Sequence, residues 1–181
     1  RKRALDTMES FARYEFKYVL PCDDAKRIVG DVGQFMVQDP HIQEKKSNAY
    51  LVRSLYFDTS RFANFYEKID GIKKRHKYRV RTYSQQFAPE GPVYVERKER
   101  NNNRVMKYRE QLKAEDIRKL SRSALGSFHG DCGEVAQQFG IEVLRRQLRP
   151  KVIVQYQRQP FISYHDGQFR VTFDSELFGV A

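Results

Sequence analysis

Lys77, Arg79, Arg81 and Tyr83 stand at every second position of one run, and Glu96, Lys98 and Arg100 at every second position of another. Val105, Lys107 and Arg109 follow the same rule in a third. Period two places each set on one face of a strand. Guanidinium forks grip phosphate oxygens in pairs and ammonium groups add point charge, so three such strands side by side suit a polyanion. Without an anion their mutual repulsion is a standing cost. From Lys68 to Lys113 there are fourteen Lys or Arg against five Asp or Glu, a surplus of nine in a chain of net charge +11. A block of like charge is ordinarily a solvated or disordered segment. Here aromatic and β-branched residues alternate with the cations, which predicts a sheet with a charged face.

The elements around these strands can be read from capping and turn residues. Asn101-Asn102-Asn103 is a turn between the second and third basic strands. Tyr94, Val95, Met106 and Tyr108 supply bulk for packing. Arg13 to Leu20 alternates charged with aromatic residues and is predicted as a strand that Pro21 stops. Asp23 or Asp24 then caps a helix to about Met36, with Ile28, Val29, Val32 and Phe35 as its apolar stripe. A longer strand is expected over 48–58. A short amphipathic helix over 62–68 follows, leading to the Asp70-Gly71 turn. In the Tyr56-Phe57-Asp58 stretch either aromatic packs the core, and Asp58 caps a turn. Helices are expected at about 114–123 and 133–148, and strands at 151–158 and 168–174. About seven strands and three or four helices make a mainly antiparallel α+β domain. Its charged face either lies in water or turns inward as the lining of a closed barrel; the pattern is compatible with both.

Composition narrows the function classes. A chain of 181 residues and 21.5 kDa is one domain's worth. With 40% hydrophobic and 31% charged residues it is neither a disordered tail nor a membrane bundle. No apolar run approaches the roughly 20 residues of a spanning helix. A sequence pI near 9.7 points to a polyanionic partner. Cys22 and Cys132 cannot build a disulfide framework or a structural zinc site and read as reduced thiols. His41, His76, His129 and His165 lack ligand spacing. No phosphate loop of the Gly-x-x-x-x-Gly-Lys type and no Gly-x-Ser-x-Gly elbow occurs. The chain opens at Arg1 with no initiator Met or leader and reads as cut from something longer.

Five motifs in order carry a resemblance. Arg13-Tyr14-Glu15-Phe16-Lys17-Tyr18, Ser54-Leu55-Tyr56-Phe57-Asp58, Arg79-Val80-Arg81-Thr82-Tyr83, Val95-Glu96-Arg97-Lys98 and Val105-Met106-Lys107-Tyr108-Arg109 resemble the VTC domain. This is the polyphosphate polymerase domain of the triphosphate tunnel metalloenzymes, the superfamily that includes the CYTH proteins. Tyr156-Gln157-Arg158 and Arg170-Val171-Thr172-Phe173-Asp174 add to the likeness, which covers about Tyr14 to Leu177, so 1–181 is expected to be a single VTC-like domain. The resemblance implies an eight-stranded antiparallel β-barrel with peripheral helices, its tunnel holding a triphosphate or polyphosphate. Carried over residue by residue, it makes Lys17, Arg79, Arg81, Lys98, Lys107 and Arg158 the catalytic phosphate-binding set, with Arg109 beside them. It also implies Mn2+ or Mg2+ held by tunnel carboxylates, Glu15 and Glu96 in this chain.

The implied activity is transfer of the terminal phosphate of ATP onto inorganic polyphosphate. Arg13-x-Glu15-x-Lys17 replaces the Glu-x-Glu-x-Lys of the hydrolases and cyclases, which favours the polymerase-like branch over a triphosphate hydrolase. The family's last strand, with its Glu-x-Lys pair, is expected to be missing, because the chain ends at Ala181 after seven countable strands. That keeps a non-catalytic polyphosphate or triphosphate sensor as the alternative. Nucleic acid is not expected as a partner, since no Gly-rich aromatic ribonucleoprotein signature accompanies the basic strands. A cytoplasmic location is expected from the thiols and the need for ATP, with membrane contact only through segments outside this chain. Lys73, Lys74 and Arg75 are expected in an exposed loop that gathers anions, and Asp174 is left either inside the tunnel or at a strand end.

Overall fold

An alternating strand needs something over its apolar face, and in this protein a helix near the C-terminal third supplies it. The computed structural model describes residues 15–42, 48–84, 91–102, 104–113, 116 and 132–181. In chain order the elements are α1 (Cys22–Phe35), β1 (Met36–Gln38), a 3-10 turn (Pro40–Ile42), β2 (Tyr50–Asp58), α2 (Ala63–Ile69), β3 (Lys74–Thr82) and β4 (Val93–Asn101). They continue with β5 (Arg104–Leu112), α3 (Glu134–Arg146), β6 (Arg149–Ser163) and β7 (Arg170–Val180). The strands hydrogen-bond in the order β1-β6-β2-β3-β4-β5, with β7 also on β6. This is the expected antiparallel α+β fold, with seven strands and three α-helices among the described residues. Two compact units divide it, one over 53–154 and the other over 15–52 and 155–179.

In the first unit the even and odd positions of the strands separate cleanly. Tyr78, Val80, Val93, Val95 and Leu112 are buried with Ala136, Phe139 and Val143 of α3. Phe139 sits edge-on to Phe57 with centroids 4.9 Å apart and beside Tyr78 at 5.3 Å. α3 has Gly133 at its N-cap and no capping side chain there. The missing cap comes from β5. Glu110 accepts hydrogen bonds from the backbone N–H of Gly133, Val135 and Ala136 at 2.8, 3.0 and 3.1 Å. A carboxylate on three free N–H groups at a helix N-terminus is favourable both as a cap and against the helix dipole.

Asp58 plays the same part for α2, accepting from the backbone N–H of Thr59, Asn64 and Phe65. The capping role expected of it holds. Lys73-Lys74-Arg75 does not form a loop throughout: Lys74 and Arg75 open β3.

The second unit departs from expectation at its start. Residues 15–21 have no regular structure and are exposed. Alternation marks a strand candidate, but a strand exists only when a neighbouring strand takes its backbone bonds in register. Arg13 lies outside the described residues, as does most of the helix expected at 114–123. The unanticipated strand is β1, which pairs Met36 with Ser163 and Gln38 with Phe161. Three residues are too few for a period to show. β6 runs to Ser163, past the predicted end at Arg158. α1 starts at Cys22, so Asp23 and Asp24 lie within its first turn and make no side-chain cap, and Phe35 on its stripe is exposed rather than packed.

Replacing Glu110 by Ala is expected to lower unfolding free energy by about 1–2 kcal/mol, the scale of a lost cap, read from urea melts. Gly133→Ala should have a comparable effect through the same contact, since its Cβ would lie 2.4 Å from the Glu110 carboxyl group. A melt unchanged in both variants would remove the cap from this account.

Candidate phosphate-binding site

The face of β3, β4 and β5 opposite α3 is built from three rungs of directly paired residues. Ser54, Arg81, Tyr94 and Gln111 make one. Tyr56, Arg79, Glu96 and Arg109 make the next. Lys77, Lys98 and Lys107 make the third. Paired residues on one face place their Cβ atoms about 5 Å apart, so the three lysines leave the backbone side by side.

Glu96 is the centre of this face, with 1% of its surface exposed. Its Oε2 accepts from Arg79 Nε at 2.6 Å, and Arg79 Nη1 donates to Tyr56 Oη at 2.9 Å. Lys107 Nζ lies 3.0 Å from Oε1. Arg81 Nη1 and Arg109 Nε complete the circle at 3.9 and 3.8 Å. Arg81 is buried too and donates from Nε to Ser54 Oγ at 3.0 Å. Arg109 stacks on Tyr94, its guanidinium carbon 3.5 Å from the ring centroid, and lies 5.5 Å from that of Tyr83.

Charge and burial oppose each other here. Burial alone would raise the Glu96 carboxyl, but Arg79, Arg81 and Lys107 overcome it and hold the pKa at about 2. Burial pushes the Lys107 ammonium down to about 8; Glu96 opposes the shift, and Arg79 and Arg81 add to it. Lys77 is lowered by burial, against the pull of Asp58 and with the push of Lys68 and Arg75. One carboxylate therefore orders the guanidiniums without neutralising the four cations around it.

Arg79, Arg81, Glu96, Lys98, Lys107 and Arg109 all come together on this face. The sequence reading assigned no role to Lys77, although its position in the alternation was plain. It also offered Tyr56 and Tyr94 to the core. Phe57 packs the core instead, while Tyr56 and Tyr94 stand on the basic face, as the alternation Ser54-x-Tyr56 and Tyr94-x-Glu96 would have indicated.

The remaining candidates belong to the second unit. Lys17 pairs with Glu15 at 3.5 Å on the irregular segment, both well exposed. Arg158 Nε and Nη2 donate to the two carboxylate oxygens of Asp174, each at 2.7 Å. Asp174 thus pairs across β6 and β7, and burial, which would lower the Arg158 guanidinium, is outweighed by that carboxylate, so its pKa is raised.

The donor set does not fit a resident divalent cation on Glu96. Four cations surround that carboxylate, and no three His, Cys, Asp or Glu gather at one point among the described residues. A metal ion needs several oxygen ligands of low net positive surroundings.

The fold is shared with solved structures. A Bacillus halodurans protein described as a "putative adenylate cyclase" superposes with a TM-score of 0.53 and 20% identity, covering 86% of this chain and 67% of that one. At that identity the likeness shows the fold alone. The family follows from the sequence: the VTC domain matches over residues 12–181, and the chain belongs to that family. No curated protein matches.

Two measurements follow from these charges. A bound polyanion favours protonated Lys107, so triphosphate binding near pH 8 should take up about half a proton. Titration calorimetry in buffers of different ionisation heat reads this, and Lys107→Arg should abolish it; equal heats for the parent protein would refute the assignment. Glu96→Gln should cost about 3 kcal/mol of stability, the scale for breaking a buried ion pair. Tripolyphosphate should restore more stability to this variant than to the parent in thermal melts. The Glu96 contribution itself disappears as pH falls from about 4.5, its unfolded value, to about 2.

Proposed function

We propose that this chain binds a linear triphosphate or polyphosphate along the lysine rung and works as a polyphosphate polymerase-like phosphotransferase, moving the terminal phosphate of ATP onto inorganic polyphosphate. The observation that carries the reading is the register: Lys77, Lys98 and Lys107 are paired side by side. Like charges directly opposite destabilise a sheet, and successive phosphates of a linear chain offer compensating charge at short intervals.

Phosphoryl transfer asks the protein for alignment and charge stabilisation more than for covalent chemistry. On this reading Arg79, Arg81 and Arg109, held in fixed orientation by Glu96, Ser54, Tyr56 and Tyr94, grip equatorial oxygens. Lys98 and Lys107 stabilise charge on the transferred group. The resemblance adds Arg158 and Lys17 as phosphate contacts, each of which would exchange its carboxylate partner, Asp174 or Glu15, for phosphate. Manganese or magnesium is proposed to accompany the phosphate substrate, with Glu96 acting as counter-charge. The family resemblance supports the tunnel setting and the ATP and polyphosphate partners; a cytoplasmic site of action rests on the reduced thiols and the need for ATP. Among the described residues no helix is long and apolar enough to cross a membrane.

A second reading, a sensor that binds polyphosphate without turnover, is favoured by one observation: no carboxylate cluster gathers among the described residues. Incubation with ATP and manganese, followed by gel analysis for polymer, separates the two. Polymer accumulation is expected; tight tripolyphosphate binding without polymer or hydrolysis would establish the sensor. Under either reading Arg81→Ala should weaken tripolyphosphate binding by about 1.5–3 kcal/mol, the worth of a charged hydrogen bond. Unchanged affinity in calorimetry would sink the assignment of the face. An oligonucleotide of equal charge should compete poorly, and equal competition would turn the reading toward nucleic acid.

A further inference from the structure

α2 is built inside out. Its inward side carries Ala63, buried Asn64 and Glu67, held by polar bonds: Asn64 Nδ2 donates to the Phe57 carbonyl, and Arg146 Nη2 donates to Glu67 at 2.7 Å. Thr59 and Asp58 cap its first turn from the chain before it. Phe62, Phe65, Tyr66 and Ile69 recur at the i, i+3, i+4, i+7 spacing of one helical stripe. With Ile72 just beyond, these five large side chains are each between 46% and 63% exposed. A helix docked by its polar side and showing an apolar stripe to water has its interaction face outward.

The surroundings indicate what meets that face. Arg61, Lys68, Lys73, Lys74 and Arg75 lie in the same short stretch. Opposing them are Asp70 and Glu67, and Glu67 is already paired with Arg146. Lys151 adds a further cation, its Nζ 4.5 Å from the centroid of the Phe62 ring. Aromatic and aliphatic side chains interspersed with Lys and Arg match the boundary of an anionic bilayer, where rings enter the headgroup region and cations meet acidic lipids. We infer that the outward stripe of α2, with the basic residues through Arg75, docks the protein on an anionic membrane surface. This contact is made by the domain itself.

The test is co-sedimentation with phosphatidylcholine vesicles, with and without phosphatidylserine, in the presence of saturating tripolyphosphate so that the basic face is occupied. Binding is expected only to the serine-containing vesicles. Phe65→Ser with Ile69→Ser should weaken it at least about tenfold, and Lys73→Gln with Lys74→Gln by about fivefold for each lysine. The Phe65/Ile69 pair should leave tripolyphosphate affinity unchanged. The chain contains no Trp, so Phe65→Trp supplies a single indole whose emission should shift to the blue on binding. No binding to acidic vesicles, or binding that tripolyphosphate abolishes, would overturn the inference. So would a Phe65/Ile69 variant that loses self-association in size-exclusion chromatography while retaining full vesicle binding, since the stripe would then serve a second copy of the chain.

Discussion

Four cations share one buried carboxylate at Glu96, and the basic face of the first unit is organised by that imbalance. A carboxylate out of water is costly alone, and so is a guanidinium, but together they fix each other's positions. Arg79 cannot swing away without leaving Glu96 and Tyr56, and Arg81 is tied to Ser54. The arginines are therefore oriented before any ligand arrives, which is what preorganised charge stabilisation requires. One negative charge does not cancel four positive ones, so the face keeps a net positive charge. A face with equal numbers of each sign would be more stable and less useful.

The opposite side of the same strands explains how such a face is tolerated. Val80, Val95 and Phe139 supply the burial, and α3 clamps the strands from behind. Apolar packing on one side can carry electrostatic tension on the other because a strand sends successive side chains to opposite faces. The tension is local: Lys107 relieves part of it by holding its proton less tightly. The arrangement resembles other functional sites in which local instability is carried by the packing around it.

Much of this was legible in the sequence because period two is a strong signal when cations and β-branched residues alternate. Arg79, Arg81, Lys98 and Lys107 could be placed on one face from spacing alone, and the α+β class followed from the turns. Other features were not legible. Glu110 caps a helix that begins more than twenty residues later, so no local capping pattern announces it. β1 is too short for periodicity. The segment from Glu15 has the alternation of a strand but no regular structure, and strand pairing is a tertiary fact. Tyr56 and Tyr94 were ambiguous because an aromatic residue suits a core and a cation equally well. The outward stripe of α2 was visible as an amphipathic helix, but which side faced water depended on Asn64 and Glu67 finding partners.

The cap on α3 has a consequence for how the chain finds its register. Glu110 sits between Arg109 and Gln111, so the residue that closes the helix points away from the residues that line the basic face. Slipping β5 by one position along β4 would turn Lys107 and Arg109 toward α3 and carry Glu110 to the other side. The helix would then lose its terminus while an ammonium and a guanidinium entered the apolar layer. The long-range contact thus acts as a proofreading step: a mispaired hairpin cannot be completed by the helix, and only the correct pairing is sealed.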